Sequence, residues 1–218
     1  ALGGLGVKDI RDIPDDFSLT PLQARIRSCL IEGKEFIDPQ LAGELKRVEY
    51  PLHFLDFETV APAIPRYPHT GPFQTVPFQW SDYLLHREGS MEHREYLCGE
   101  DKDSREEFTR TLLDALGEKG TIFIYTAYEK DVVASLAEDL PQYREKLLIL
   151  QTRFKDLYAA IRKHFYHPEF HGSFSLKSVL PALAPSMKYE SLSIQEGSMA
   201  SLEYLRMLDP STSSEEKE

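Results

Sequence analysis

The sequence has few cysteines, no long apolar run and no excess of basic residues. Its two cysteines, Cys29 and Cys98, are too few for a disulfide framework in 218 residues, which favours a reducing, cytoplasmic setting. No apolar run approaches the ~20 residues that span a bilayer, so we expect no membrane partner. The formal net charge of −11 argues against a general duplex binder, because extensive phosphate contacts need a basic surface.

The sequence pattern predicts a short N-terminal segment, one larger domain and a tail. Residues 1–48 predict two short helices, the first with Thr20 as N-cap and Pro21 at its first position. Residues 49–208 carry the strands and helices of one domain, and residues 209–218 form a polar tail. Because the chain lacks an initial methionine, we expect both ends to be cut from a longer protein. The N-terminal segment would then pack on the domain or on a missing neighbour.

The domain pattern begins with three strands and continues with alternating helices and a strand. The predicted strands cover residues 53–60, 78–86, 91–98 and 121–127. Helices are predicted over residues 104–120, 128–140, 153–166, 173–183 and 198–208. This order is typical of an α/β fold in which helices cover a mixed β-sheet.

The feature with the most chemical content is the pair Asp56 and Glu58 in the apolar stretch "YPLHFLDFETVAP". Residues two apart in a strand point to one face, about 6–7 Å from each other. Two carboxylates so placed repel unless a cation lies between them. Mg²⁺ takes carboxylate oxygens, and α/β sheets bind ligands where strands open into loops. The pair therefore indicates one or two Mg²⁺ or Mn²⁺ ions; the alternative is a salt-bridged or solvated pair at a strand end.

The stretch "HFLDFET" resembles the first motif of the DEDD superfamily of 3′–5′ exonucleases, which have a ribonuclease-H-like fold. Over about residues 1–208 the chain is similar to domain-of-unknown-function family 2779. The stretches that carry this similarity are "YPLHFLDFETVAPAIPRY", "VPFQWSDY", "EHREYL", "IYTAYE" and "GSFSLKSVLPAL". The resemblance implies a ribonuclease-H-like mixed sheet flanked by helices, of the DEDD exonuclease type. It also implies a RecB-like nuclease domain in the same parent chain.

The resemblance assigns catalytic and metal-binding roles to three acids. Asp56 and Glu58 match the first motif. The second motif falls on "YTAYE", which makes Glu129 the third acid and places Thr126, in a substrate-binding position, where asparagine is usual. The alternative for Glu129 is a first-turn acid that complements the helix dipole.

A fourth carboxylate is not evident in the sequence. The resemblance implies a Tyr–Cys–x–x–Asp-like helix after "YLRML", and no such run is present. Asp156 and Glu196 are the candidate substitutes; the alternatives are a structural acid near the site and a turn residue, respectively. A two-metal mechanism needs a fourth acid, so we expect this polypeptide to be poorly active or inactive alone.

Three further residues are candidates for substrate contacts. Lys177, near a predicted helix N-terminus, could bind a phosphate together with backbone N–H groups, or could be solvated. Phe78 and Trp80 could stack on a terminal base, as aromatic side chains do in single-strand binders, or could be part of the core.

These features predict a metal-dependent 3′–5′ exonuclease-like domain that hydrolyses terminal phosphodiesters at single-stranded DNA or RNA ends. One alternative is a catalytically silent ribonuclease-H-like module that docks other domains or binds nucleic-acid ends. The acidic charge and the missing third motif favour that alternative. A phosphoesterase acting on small nucleotides is a further alternative, because it needs less basic surface.

Overall fold

The computed structural model describes residues 6–187, 197–209 and 211–212, and the chain divides into two compact units. The first unit comprises residues 1–47 and 158–189, and the second comprises residues 48–157 and 190–218. Nothing in the sequence pattern indicated that residues 158–189 group with the N-terminal segment.

The described residues form helices and strands with the following bounds. The helices are α1 (Pro21–Glu32), α2 (Gln40–Lys46), α3 (Arg105–Leu116), α4 (Tyr128–Asp139), α5 (Arg144–Gln151), α6 (Leu157–His164), α7 (Leu176–Leu183) and α8 (Gly197–Met207). The strands are β1 (Phe36–Ile37), β2 (Leu52–Val60), β3 (Val76–Leu85), β4 (Met91–Leu97), β5 (Thr121–Ile124), β6 (Phe154–Asp156) and β7 (Phe165–Tyr166). None of the helices in the described part of the chain has the length and apolar character needed to cross a bilayer.

The second unit is built on a five-stranded mixed β-sheet in the order β4-β3-β2-β5-β6. The strands β2, β3 and β4 form an antiparallel meander, whereas β5 and β6 run parallel to β2. The prediction of an α/β fold with a mixed sheet flanked by helices is confirmed.

Alternation along β2 separates the helix-covered face of the sheet from the opposite face. Leu55 and Phe57 are buried against helices α3, α4 and α5, and the ring of Phe57 meets that of Phe108 edge-on at 5.0 Å. Phe54, Asp56 and Glu58 alternate with these core residues and therefore point to the opposite face. The core thus fixes which face receives the two carboxylates.

The prediction of a single helix over residues 153–166 is wrong. Residues Phe154–Asp156 form β6, which pairs with β5, and a helix and a second short strand follow. The apolar residues of this stretch have helical spacing, but β5 offers an open row of backbone groups that β6 satisfies. Asp156 therefore lies at the end of a strand. Helix α5 was also not anticipated.

The first unit contains one helix with a capping box, a two-stranded sheet and a buried aromatic cluster that includes Tyr166 and Phe170. The predicted N-cap is confirmed: Thr20 and Gln23 form a capping box at the start of α1. Strands β1 and β7 pair antiparallel. The buried ring of His164 lies between two acids, with Nδ1 3.2 Å from Asp38 and Nε2 3.0 Å from Glu44.

Two arginines of the second unit are engaged in internal contacts. The buried Arg105 forms ion pairs of 2.7 Å with Asp103 and 2.8 Å with Asp139. Arg153 donates hydrogen bonds to four backbone carbonyl oxygens within residues 116–120. Its guanidinium therefore closes the turn that leads from α3 into β5.

Close packing at Gly120, immediately before β5, generates a stability prediction. A Cβ at Gly120 would overlap the carbonyl oxygen of Pro51, whereas a Cβ at Gly89 would meet nothing within 4 Å. Both glycines have positive φ, 96° and 94°. We expect Gly120→Ala to lower the free energy of unfolding by about 3 kcal/mol and Gly89→Ala by about 1 kcal/mol, because only the first adds overpacking to backbone strain. Urea unfolding measures both, and equal losses would contradict the close approach.

Candidate functional site

The predicted acids lie where three parallel strands end. Strands β2, β5 and β6 run in one direction, so their carboxyl ends meet at the same edge of the sheet. Asp56 and Glu58 lie on β2 beyond its last pairing with β5, and Glu129 is the second residue of α4, which follows β5. Asp156 ends β6. Asp56, Glu58 and Glu129 are called the carboxylate cluster below.

A β-bulge shapes the end of β2. Glu58 pairs with Gln79, and the next residue, Thr59, pairs with Pro77, so one residue of β3 is skipped. The extra residue, Phe78, lies on β3, so the bulge interrupts the regular alternation of β3 opposite Glu58 and Thr59.

The pKa values of all three acids in the carboxylate cluster are raised. Burial raises the pKa of Glu58 to about 7, and the charge of Asp56 raises it further. Burial likewise raises the pKa of Glu129 to about 7, with contributions from the charges of Asp56 and Asp156. The pKa of Asp56 is raised by burial too. The charge of Asp56 therefore acts on both Glu58 and Glu129, as expected for carboxylates that repel one another when ionised.

The turn between β5 and α4 connects the cluster to its surroundings. Thr126 has a φ of 92°, a strained conformation for a β-branched residue. Its N–H donates to Oδ1 of Asp156 at 3.3 Å, and its Oγ1 accepts from the N–H of Tyr128 at 3.3 Å. The hydroxyl of Tyr128 is hydrogen-bonded to Oγ1 of Thr59. These contacts connect β6, α4 and β2 around the acids.

The cluster has ligand atoms of the kind that divalent cations prefer, but not a closed coordination shell. In the part of the chain that the structure describes, no group of three His, Cys, Asp or Glu residues is arranged to hold a metal ion. Glu129 is only 4% exposed, and its Oε2 is buried without a hydrogen-bond partner among the described residues. An unpaired buried carboxylate oxygen is costly unless a proton or a cation satisfies it. The carboxylate oxygens of the cluster are therefore of the chemical type that binds a divalent cation.

The opposite face of the sheet carries aromatic side chains next to the cluster. Phe54 lies two residues before Asp56 on β2. It is opposite Tyr83 of β3, which in turn is opposite His93 of β4. Phe54 is 39% exposed and Tyr83 is 47% exposed. The rings of Tyr83 and His93 stack with centroids 4.3 Å apart.

The aromatic residues that the sequence suggested for stacking belong to the core. Phe78 is 2% exposed and stacks on Tyr204 of α8, with centroids 3.8 Å apart. Trp80 is 4% exposed and donates from its indole N–H to Thr111 at 3.0 Å. A base cannot reach either ring, so the stacking hypothesis for these two residues is wrong and the core alternative is confirmed.

Two other predicted residues belong to the first unit or lie outside the described residues. Lys177 is the second residue of α7 in the first unit, and its phosphate-binding role stays a prediction. Glu196 lies outside the residues that the structure describes.

The sequence analysis did not single out Tyr128, Thr59, Phe54 or Tyr83. Tyr128 directly precedes Glu129 in "YTAYE", and Thr59 directly follows Glu58, so adjacency to predicted acids was the available signal. The contact between the hydroxyls of Tyr128 and Thr59 joins residues 69 positions apart, so no local pattern revealed it. The position of Tyr83 beside Phe54 depends on strand register.

Comparison with known protein families identifies a family to which the chain is similar. The model of the family described as Domain of unknown function (DUF2779) matches residues 53–175, a range that contains the carboxylate cluster and Asp156. No curated protein and no solved structure matches the chain.

The raised pKa of Glu129 predicts a pH-dependent stability. The rise from 4.5 to about 7 disfavours the ionised form in the folded state, so folding weakens as pH rises from about 4.5 to about 7. We expect Glu129→Gln to leave stability nearly unchanged at pH 4.5. At pH 8, without divalent cations, it should raise the free energy of unfolding by up to about 3 kcal/mol.

Urea unfolding at the two pH values measures this difference. Glu138→Gln is the matched control, because Glu138 is an exposed acid on the same helix. A Glu129→Gln variant that gains no more stability at pH 8 than Glu138→Gln would show that Glu129 is ionised without penalty.

Proposed function

The chain belongs to the DUF2779 family, and we propose that it functions as a metal-dependent 3′–5′ exonuclease-like domain acting on single-stranded ends of DNA or RNA. The observation that carries this proposal is the carboxylate cluster. Asp56 and Glu58 come from one strand and Glu129 from a helix about seventy residues later, yet the charge of Asp56 raises the pKa of both Glu58 and Glu129. Repelling acids in a partly buried site are a recurring mark of function rather than of stability.

The fold supports the finer assignment to the ribonuclease-H-like class and the DEDD exonuclease type. An antiparallel meander followed by two parallel strands, in the order β4-β3-β2-β5-β6, fits the arrangement that the resemblance implies. The paired acids lie on β2, the central strand of this order, and the third acid begins the helix after β5. Both positions correspond to the first and second motifs of the DEDD pattern.

We propose that Mg²⁺ or Mn²⁺ binds the carboxylate cluster. Asp56, Glu58 and the unpaired Oε2 of Glu129 would be the protein ligands. Three carboxylates would be enough, because Mg²⁺ usually keeps several of its water ligands. When bound, such an ion supplies a Lewis acid for phosphodiester hydrolysis. Asp156 is the fourth acid in this proposal, because its charge acts on Glu129. Thr126 holds Asp156 through its backbone N–H and connects it to α4.

The sheet face next to the cluster supports a single-stranded substrate. Unpaired bases stack on exposed aromatic rings, and Phe54 and Tyr83 offer such rings beside Asp56. A net charge of −11 disfavours a duplex held along its phosphates. Stacking and metal contacts would therefore supply most of the affinity.

One finding favours the alternative of a catalytically silent module. The described residues contain no group of three metal-binding side chains in coordinating positions. If the acids remain protonated at neutral pH, the same sheet face could bind a nucleic-acid end or a neighbouring domain, such as the RecB-like nuclease domain, without hydrolysis. A measurement of metal binding distinguishes the exonuclease-like function from the catalytically silent one.

Asp56 is predicted to be required for Mn²⁺ binding. Calorimetry at pH 8 should show that the unchanged chain binds Mn²⁺ and that Asp56→Asn weakens the affinity at least tenfold, because one ligand is lost. Glu95→Gln is the matched control, since Glu95 is an exposed acid on the same sheet face, two strands away. The same proteins are then assayed on a 5′-labelled single-stranded oligonucleotide, which should shorten from its 3′ end in Mn²⁺ and stay intact in EDTA.

Absence of Mn²⁺ binding by the unchanged chain would overturn the exonuclease proposal and favour the silent module. If the chain binds Mn²⁺ but does not hydrolyse the oligonucleotide, a further acid is needed for catalysis. If Asp56→Asn and Glu95→Gln lowered the affinity for Mn²⁺ equally, the effect would come from the overall negative charge and not from a specific ligand.

Tyr83 is predicted to contribute to binding of single strands. We expect Tyr83→Ala to weaken binding of a single-stranded oligonucleotide by about tenfold, because base stacking on an aromatic ring contributes about 1–3 kcal/mol. Fluorescence anisotropy in Ca²⁺, without hydrolysis, measures the affinity. Met91→Ala is the control, because Met91 is an exposed, non-aromatic residue of the neighbouring strand β4. An unchanged affinity in Tyr83→Ala would exclude this face as the binding surface.

A further inference from the structure

We infer that the hydroxyl of Tyr128 binds the phosphate of the substrate, and that Thr59 is the positioning residue that orients it. This inference rests on the proposed function, because it names the group that meets the phosphate beside the carboxylate cluster. It starts from the hydrogen bond between Tyr128 and Thr59, which the family resemblance did not suggest.

The phosphate needs a donor at this site. Ionised carboxylates accept hydrogen bonds only, and so do the non-bridging oxygens of a phosphodiester. Asp56, Glu58 and Glu129 therefore cannot contact a phosphate directly while they are ionised. The hydroxyls of Tyr128 and Thr59 are neutral groups that can donate, and they lie next in sequence to Glu129 and Glu58 respectively.

The position of the Tyr128 hydroxyl is set from two sides. Its side chain starts at the first residue of α4, where the backbone N–H is bonded to Oγ1 of Thr126. Its hydroxyl is hydrogen-bonded to Oγ1 of Thr59, the residue of β2 that directly follows Glu58. The charges of all three acids in the carboxylate cluster act on this hydroxyl. Tyr128 therefore spans from the helix to the strand beside the cluster.

The hydroxyl pair leaves one proton available to a ligand. Each hydroxyl has one O–H, and a single hydrogen bond between the two oxygens uses one of these protons. When Thr59 donates to Tyr128, the phenolic O–H is available for a phosphate oxygen. Tyr128 is 43% exposed, so its side chain is accessible from solvent. Thr59 is held in turn, since its carbonyl oxygen accepts a hydrogen bond of 2.7 Å from Ser201.

The experiment compares thymidine 5′-monophosphate with thymidine, using calorimetry on the full chain in saturating Mn²⁺. We expect Tyr128→Phe to weaken binding of the monophosphate about tenfold, because it removes a hydrogen bond to a charged group. Binding of thymidine, which has no phosphate, should be unchanged. The Kd for Mn²⁺ should also be unchanged, because the phenol is not one of its ligands.

Thr59 variants test the positioning role. Thr59→Val should weaken binding of the monophosphate, and Thr59→Ser should restore it, because serine keeps the hydroxyl. The double variant Tyr128→Phe, Thr59→Val should bind no more weakly than Tyr128→Phe alone. Tyr143→Phe is the matched control, since Tyr143 is a partly buried tyrosine that packs on the core. Thermal melting confirms that each variant is folded.

Different outcomes identify which claim fails. An unchanged affinity of Tyr128→Phe for the monophosphate would overturn the inference while the proposed function stands. A parallel loss of Mn²⁺ affinity would also overturn it, because the hydroxyl would then support the acids and not the phosphate. If the unchanged chain binds Mn²⁺ but not the monophosphate, the inference alone fails. If it binds neither, the proposed function fails with it.

Discussion

The placement of β2 in the middle of the sheet is the constraint on which the rest of the structure depends. Because this strand pairs antiparallel with β3 and parallel with β5, its register is fixed on both sides. Burial of Leu55 and Phe57 fixes its faces, since a shift by one residue would expose both and bury Asp56 and Glu58. The acids are thus held in place by the packing of residues that have no role in chemistry.

The site shows a conflict between folding and charge that is typical of functional sites. Glu129 is almost fully buried, and one of its oxygens has no partner among the described residues. In a region selected only for stability, an apolar residue of similar size would remove this penalty. The strained Thr126 lies in the same turn, three residues before Glu129. Unfavourable features that coincide in one turn indicate a requirement other than stability.

The sequence predicted the local features of the fold well and the long-range ones poorly. The stretch 53–60 could be predicted as a strand because apolar residues flank the acids, and the capping box at Thr20 is a local pattern. The strand Phe154–Asp156 could not, because only its pairing with β5 distinguishes it from a helical turn. For the same reason Asp56 and Glu58 could be singled out, but not the hydrogen bond between Thr59 and Tyr128, which joins residues 69 positions apart.

The internal contacts of Arg105 and Arg153 change what the charge count of this chain means. The sequence has 25 Lys and Arg residues against 36 Asp and Glu, but guanidinium groups bonded to neighbouring acids and to backbone carbonyls do not face a ligand. Such groups displace no condensed counterions from a nucleic acid. The logarithm of any nucleic-acid affinity would then fall only gently with the logarithm of salt concentration. A shallow slope of that kind would distinguish this chain from basic nucleases, which track the backbone electrostatically.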